Sequence, residues 1–307
     1  MGKGYNLLAI LGPTAGGKTS VATRMAYILN GEVISADSRQ VYRSMDLGTG
    51  KDLDDYVVEG QKIPYHLIDI VDAGYKYNVY EYQQDFINVF KDLQSRNKFP
   101  VLCGGSGMYI EAVLKGYKLI HVPVNEFLRA ELEQKPTEEL ISILSSYKKL
   151  HNKTDIDTRK RMIRAIEIEK YYEENPQLDI DFPQITPLVV GVKFDRKSQR
   201  KRITQRLKQR LDEGMIDEVK QLIDLGISVE NLLYYGLEYK FITLHITGEL
   251  SFDEMFTKLE TAIHQFAKRQ MTWFRHMERN GFKIQWLDGY APMHEKTNRI
   301  LELVERE

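Results

Sequence analysis

The sequence predicts an α/β fold in which a parallel sheet is flanked by helices on both faces, with a small all-helical insertion domain. Three observations carry this. Strand-like and helix-like stretches alternate with glycine turns through the first third of the chain. Helical periodicity alone runs from about residue 119 to 186. A buried-strand pattern then returns at 188–194, followed by long helical stretches. Alternating β and α elements joined by short turns build a parallel sheet covered on both faces. The expected organisation is a core of residues 1–118 and 187–307 interrupted by an insertion of residues 119–186.

Leu7–Leu11 is a short apolar run, as in a fully buried strand. The glycine-rich turn 12–17 separates it from a helix-compatible segment ending near Leu29. Val33–Ala36 is the second strand, ending on Asp37, and Tyr65–Ile70 is the third. Asn78 and Glu81 stand at the N-cap and N3 positions of a helix start. Tyr82, Phe86, Val89, Phe90 and Leu93 then recur at helical spacing. Phe99–Cys103 is the fourth strand, closed by Gly104-Gly105. Within the insertion, helices are expected over Glu126–Glu133, Thr137–Tyr147 and Asp157–Tyr172. Leu188–Phe194 returns to the sheet, and a helix starts near Arg196. A second long helix opens on Ser251 and Glu254 as a capping box, with Met255, Phe256, Leu259, Ile263 and Phe266 on one face.

The 43 Lys+Arg and 44 Asp+Glu among 307 residues leave a net charge of −1. This excludes a generally polycationic nucleic-acid coat but allows a local basic groove. Cys103 is the only cysteine, which excludes an internal disulfide and any multi-cysteine metal site. No apolar run approaches the ~20 residues of a membrane span. A reduced, cytoplasmic, monomeric protein without a membrane partner is expected.

Residues 12–19 (Gly-Pro-Thr-Ala-Gly-Gly-Lys-Thr) fit G-x-x-x-x-G-K-[ST] between a strand and a helix. Backbone N–H groups and the helix N-terminus curl round a phosphate, Lys18 adds a full charge, and the Thr19 hydroxyl suits Mg²⁺. The core is therefore expected to be P-loop NTPase-like. ATP, GTP and a simple diphosphate all satisfy such a loop. Asp37-Ser38-Arg39-Gln40-Val41-Tyr42 begins at the carboxyl end of the second strand, the rim on which open α/β sheets bind ligands. Asp37 there is placed either to accept a proton or to cap its own turn. Asp69 and Asp72 could supply a second acidic strand end for Mg²⁺, as in a kinase, or could be solvated.

Residues 12–19, 37–43 (Asp-Ser-Arg-Gln-Val-Tyr-Arg) and 48–51 (Gly-Thr-Gly-Lys) together resemble the tRNA dimethylallyltransferase (tRNA isopentenyltransferase) family. So do His66–Asp69, Gly104–Tyr109, Arg161–Glu167 and Ala267–Arg275, seven blocks in that family's order. The resemblance implies transfer of a dimethylallyl group from dimethylallyl diphosphate to the exocyclic amine of an adenine beside the tRNA anticodon. It implies Asp37 as general base, with Ser106 (where the family usually has Thr) and Arg202 also catalytic. Gly12, Thr14, Ala15, Gly16, Gly17, Lys18 and Thr19 then hold the diphosphate, with Mg²⁺ at Thr19. Asp37, Ser38, Arg39 and Gln40, and Lys160, Arg161, Met162, Ile163 and Arg164, contact tRNA. The family's Gly-Tyr-Arg/Lys-Glu/Gln stretch departs here, as Tyr235-Gly236-Leu237-Glu238-Tyr239-Lys240.

The residues alone also suggest an RNA path. Lys193–Arg210 holds nine Lys/Arg against Asp195, and Arg202, Arg206 and Arg210 share a helix face. Arg159, Lys160, Arg161 and Arg164 form a second cluster, which Lys268, Arg269 and Arg275 could extend. Trp273 and Phe274 are expected in the core, and His66 and His264 as structural residues. An adenylate isopentenyltransferase acting on free AMP, ADP or ATP shares the cradle without needing the RNA surface. A P-loop kinase or NTP-driven RNA-binding switch, and a catalytically idle RNA-binding paralogue, are the other rivals.

Overall fold

The computed structural model describes residues 4–148, 156–178 and 181–305. Residues 1–3 and 306–307 of the expected core, and 149–155 and 179–180 of the expected insertion, lie outside these. The chain divides into two compact units, Met1–Tyr117 with Pro183–Glu307, and Lys118–Phe182. Residues 183–186, expected in the insertion, group with the larger unit because the Asn6 side chain clamps them. Its Nδ2 donates to the Gln184 carbonyl (2.7 Å) and its Oδ1 accepts from the Thr186 N–H (2.7 Å).

In chain order the elements begin β1 (Leu7–Leu11), α1 (Lys18–Ile28), β2 (Gly31–Ala36), a 3₁₀ turn (Leu53–Tyr56), β3 (Val57–Val58), β4 (Gln61–Lys62) and β5 (Tyr65–His66). Next come α2 (Val79–Ser95), β6 (Phe99–Gly104), α3 (Gly107–Leu114), α4 (Glu126–Glu133), α5 (Thr137–Tyr147), α6 (Arg159–Glu174) and β7 (Pro187–Lys193). The chain continues through α7 (Arg196–Asp212), α8 (Met215–Asp224), α9 (Val229–Tyr234) and α10 (Leu237–Ile246). It ends with α11 (Phe252–Arg279), β8 (Ile284–Asp288) and α12 (Met293–Glu305). Six strands form one sheet in the order β5-β2-β6-β1-β7-β8, and every pairing is parallel. β3 and β4 make a separate antiparallel hairpin. All of β1, β2 and β6 is buried, as strands covered on both faces must be.

Several expectations need correction. The third strand stops at His66, because Leu67 and Asp69 adopt φ of 62° and 56°, a geometry that breaks extension. The α6 helix begins at Arg159 rather than Asp157, with the Thr158 side chain accepting from the Arg161 N–H. On α11, Met255, Leu259 and Ile263 are buried, but the stripe continues through Ala267, Gln270, Phe274 and Met277. Phe266 falls off that stripe and is exposed. Phe274 is core as expected, whereas Trp273 is only half-buried.

The smaller unit has its own core, in which Leu128, Leu132, Leu140 and Leu144 of α4 and α5 meet Met162, Ile163 and Ile166 of α6. Met162 and Ile163, expected at a tRNA surface, therefore have side chains turned into this core (2% and 3% exposed). The neighbouring arginines, which look uncompensated in sequence, are paired in space. Arg159 meets Glu133 (2.8 Å), Arg161 meets Asp157 (2.7 Å), and Arg164 meets Glu167. Burial opposes ionisation of Glu167, but Arg129, the Asn125 N–H and Arg164 hold its pKa below the ordinary value.

Beneath the sheet edge, Glu32 of β2 is buried and accepts from Arg96 Nη1 (2.6 Å) and Nη2 (3.0 Å), with His66 Nε2 at 2.7 Å. The Arg96 hydrogen bonds pull the Glu32 pKa down to about 2 against its burial. A carboxyl depressed in the folded state contributes stability above its unfolded pKa of about 4.3, and that contribution is lost as pH falls towards 2. Urea unfolding between pH 5 and pH 2 should therefore show a shallower acid limb in Glu32→Gln than in the wild type. Identical limbs would contradict this role for Glu32.

Candidate active site

The carboxyl ends of β1, β2 and β6 bring three turns to one rim. They surround a cavity of about 570 Å³ whose wall includes Thr14, Lys18, Thr19, Asp37, Ser106 and Arg206. The first turn, 12–17, is the P-loop. A Cβ at Gly12 would sit 2.5 Å from the Val192 carbonyl, and Gly17 caps α1 with φ 70°. The contact at Gly12 excludes a Cβ, and the left-handed backbone at Gly17 favours glycine. The Lys18 ammonium donates to the Pro13 carbonyl at 2.8 Å. Burial lowers the Lys18 pKa, with Asp37 among the groups that oppose this. Cys103 behind the loop is a buried thiol pushed up to about 12, so it stays protonated, as a small buried hydrophobe should.

The second turn follows β2. Asp37 Oδ1 accepts the Arg39 N–H at 2.9 Å, so the carboxylate both caps its turn and lines the cavity. Ser106 ties this turn to the third. Its N–H donates to the Ala36 carbonyl (3.2 Å), and its Oγ accepts the Ser38 N–H (3.0 Å). Gln40 lines the cavity but is spent on structure, accepting from Ser35 Oγ and donating to the Gly50 carbonyl, both at 3.0 Å. The Arg39 guanidinium stands 5.4 Å from the Tyr234 ring centroid.

Gln270 of α11 closes the rim. Its Oε1 accepts the Thr14 N–H (2.8 Å) and its Nε2 donates to the Gly105 carbonyl (3.0 Å), so one amide fixes two turns. Trp273, one residue round the helix from the buried stripe, donates through Nε1 to Glu111 at 2.9 Å. It walls the cavity together with Phe266.

Loop 46–51 is held by charge. Glu218 accepts the N–H groups of Asp46 (2.8 Å), Leu47 (2.7 Å) and Gly48 (3.0 Å), plus the Tyr239 hydroxyl (2.6 Å). The wholly buried Lys51 ammonium binds Asp46 (2.8 Å), Asp69 and the Tyr42 carbonyl (2.5 Å). Asp69 is thus committed to Lys51, and Asp72 pairs with Arg43 at 2.8 Å.

Arg202 stands apart from the Asp37 cavity. Its Nε donates to the Ala15 carbonyl (3.0 Å), its guanidinium lies 4.3 Å from the Phe194 ring centroid, and it lines an adjoining cavity of about 810 Å³. Arg206 and Arg210, on the same helix face, reach both cavities. Sequence spacing marks that face without saying which arginine faces Asp37. Glu238, which burial pushes above the ordinary carboxylate pKa, also lines the main cavity and has no counterpart among the expected site residues. Among the described residues, no group of three His, Cys, Asp or Glu is placed to hold a metal, and no helix is long and apolar enough to cross a membrane.

A family model described as IPP transferase matches residues 40–277. The chain belongs to that family. A relative in Phocaeicola vulgatus, tRNA dimethylallyltransferase 2, is 61% identical over 300 residues, covering 98% of each chain. The solved tRNA isopentenylpyrophosphate transferase from Bacillus halodurans is 32% identical, with a TM-score of 0.70 across 98% of this chain and 97% of that one. A eukaryotic dimethylallyltransferase acting on tRNA shares the fold at TM-score 0.79 and 22% identity, covering 97% of this chain and 77% of that one. In this IPP transferase, Gln270→Leu would leave the Thr14 N–H and the Gly105 carbonyl without their partner. The expected loss is about 1–3 kcal/mol in chemical denaturation, and a change below about 0.5 kcal/mol would contradict the clamp.

Proposed function

We propose that this IPP transferase moves the dimethylallyl group of dimethylallyl diphosphate to the exocyclic amine of an adenosine next to the anticodon of tRNA. One observation supports it best. Thr14, Lys18 and Thr19 of the P-loop line one cavity together with Asp37, in a chain 61% identical to a tRNA dimethylallyltransferase.

The adenine amine is a poor nucleophile because its lone pair is delocalised into the ring. Most of the acceleration must come from easing departure of the diphosphate. Loop N–H groups, Lys18, Arg206 and Arg210 supply positive charge where the leaving group's charge develops, and Arg202, whose Nε donates to the Ala15 carbonyl, lines the adjoining cavity with Ala15 and Gly17. Asp37 then takes the amine proton as the C–N bond forms. Ser106 acts by positioning, since it holds the Ser38 N–H and so the turn that carries Asp37.

Thr19 lines the same cavity, and its hydroxyl is of the kind that would hold a Mg²⁺ beside the diphosphate. When bound, that ion would offset diphosphate charge. The acceptor base must leave its stack to enter, and Trp273, Phe266 and Tyr109 offer it an apolar wall while Arg39 and Arg269 meet the RNA backbone. In the smaller unit, the exposed Lys160 and Arg161 are the RNA contacts we assign to the segment 160–164.

Anticodon stem-loop RNA incubated with protein, Mg²⁺ and donor should gain one five-carbon unit on adenosine by mass spectrometry, while free AMP stays unmodified. Prenylated AMP with untouched RNA would contradict the assignment. Asp37→Asn should lower kcat by about 10²–10⁴ and leave the Kd for the donor nearly unchanged. A kcat close to wild type would remove Asp37 as the base.

A further inference from the structure

Arg206 and Arg210 lie one turn apart on α7 and reach the main cavity beside Lys18, Thr19 and Asp37. Both already hold an anion. Asp52 accepts from Arg206 Nη2 through Oδ2 (2.5 Å) and from Arg210 Nη2 through Oδ1 (2.7 Å). One carboxylate thus presents two oxygens to two guanidiniums, an arrangement that two diphosphate oxygens would reproduce.

The loop bearing Asp52 is shaped to this pair. Gly50 has φ 76°, and a Cβ there would lie 2.8 Å from Arg210 Nη1 and 2.9 Å from Arg206 Nη2. The Gly50 carbonyl is in turn held by Gln40, on the turn that carries Asp37. Burial and the nearby Arg210 both disfavour the charged form of Arg206, so the pair needs an anion. Asp52 is 47% exposed against 11% for Arg210, which makes the carboxylate the partner that water can most readily take back.

We infer that Asp52 is a positioning residue that competes with the donor's diphosphate for Arg206 and Arg210. It holds the pair before the donor binds and again as the product diphosphate leaves. The donor must displace it, so Asp52 sets donor affinity and hastens product release. This rests on the reading of the cavity as a diphosphate site.

The test is calorimetric titration of inorganic diphosphate into the wild type, Asp52→Asn, Asp52→Glu, Lys18→Ala, Arg206→Gln/Arg210→Gln, and the triple variant adding Asp52→Asn, with thermal melts confirming that each is folded. Asp52→Asn should tighten binding about tenfold, near the low end of typical coupling between sites. Asp52→Glu should restore wild-type affinity. The gain should vanish when Asp52→Asn is added to the double arginine variant, as a double-mutant cycle requires of a direct coupling. Unchanged or weaker binding by Asp52→Asn, with Lys18→Ala weakened as expected, overturns the role of Asp52 alone. Unchanged binding by Lys18→Ala overturns the diphosphate site itself.

Discussion

Six strands running in one direction place all their carboxyl ends on one rim, and the site exists because of that polarity. A parallel sheet leaves the last backbone groups of each strand to be satisfied by whatever follows. Here β2, β6 and β1 are neighbours, with Ala36 and Leu11 both in register with Gly104. The turns after them therefore begin at one level. The P-loop, the Asp37 turn and the Gly105–Ser106 turn are brought together by sheet order before any side chain acts.

Polar clamps rather than core packing then fix those turns. Gln270 joins the first to the third, Ser106 joins the third to the second, and Gln40 joins the second to loop 46–51. Loop 46–51 is in turn anchored by Glu218 and by the buried Lys51. The Gly105 carbonyl and the Lys51 ammonium are buried ends of these links and would be left unsatisfied without their partners, which favours the fixed geometry that catalysis by preorganised charge needs. Within this frame the Asp52–arginine pair stands out, because its anionic partner is half exposed while its cations face the cavity.

Much of this was legible in sequence, and the failures have physical causes. β1, the P-loop and the capping boxes at Asn78 and Ser251 are local signals, set by residues close in the chain, and they stand where expected. The third strand ends sooner than its apolar run suggests, because the chain turns at Leu67 and Asp69, where Lys51, 18 residues earlier, binds the Asp69 carboxylate. Met162 and Ile163 were read with the basic residues around them, but on a helix each neighbour points a different way, and only the α4–α5 partners show which face is core. Arg202, Arg206 and Arg210 were correctly placed on one face. Their different depths follow from the Phe194 ring on one side and Asp52 on the other, neither adjacent in sequence. Gln270 lies within the Ala267–Arg275 block, but its joining of two turns is visible only once both turns are present.

The central claim is that the P-loop receives the donor's diphosphate while Asp37 faces the incoming amine. A crystal structure of the protein with the unreactive donor analogue dimethylallyl thiodiphosphate and an anticodon stem-loop tests it most directly. The account predicts both phosphorus atoms within the loop of residues 12–19, and the Asp37 carboxylate within hydrogen-bonding reach of the adenine amine. Phosphorus atoms seated away from that loop, or an adenine amine beyond the reach of Asp37, would contradict it.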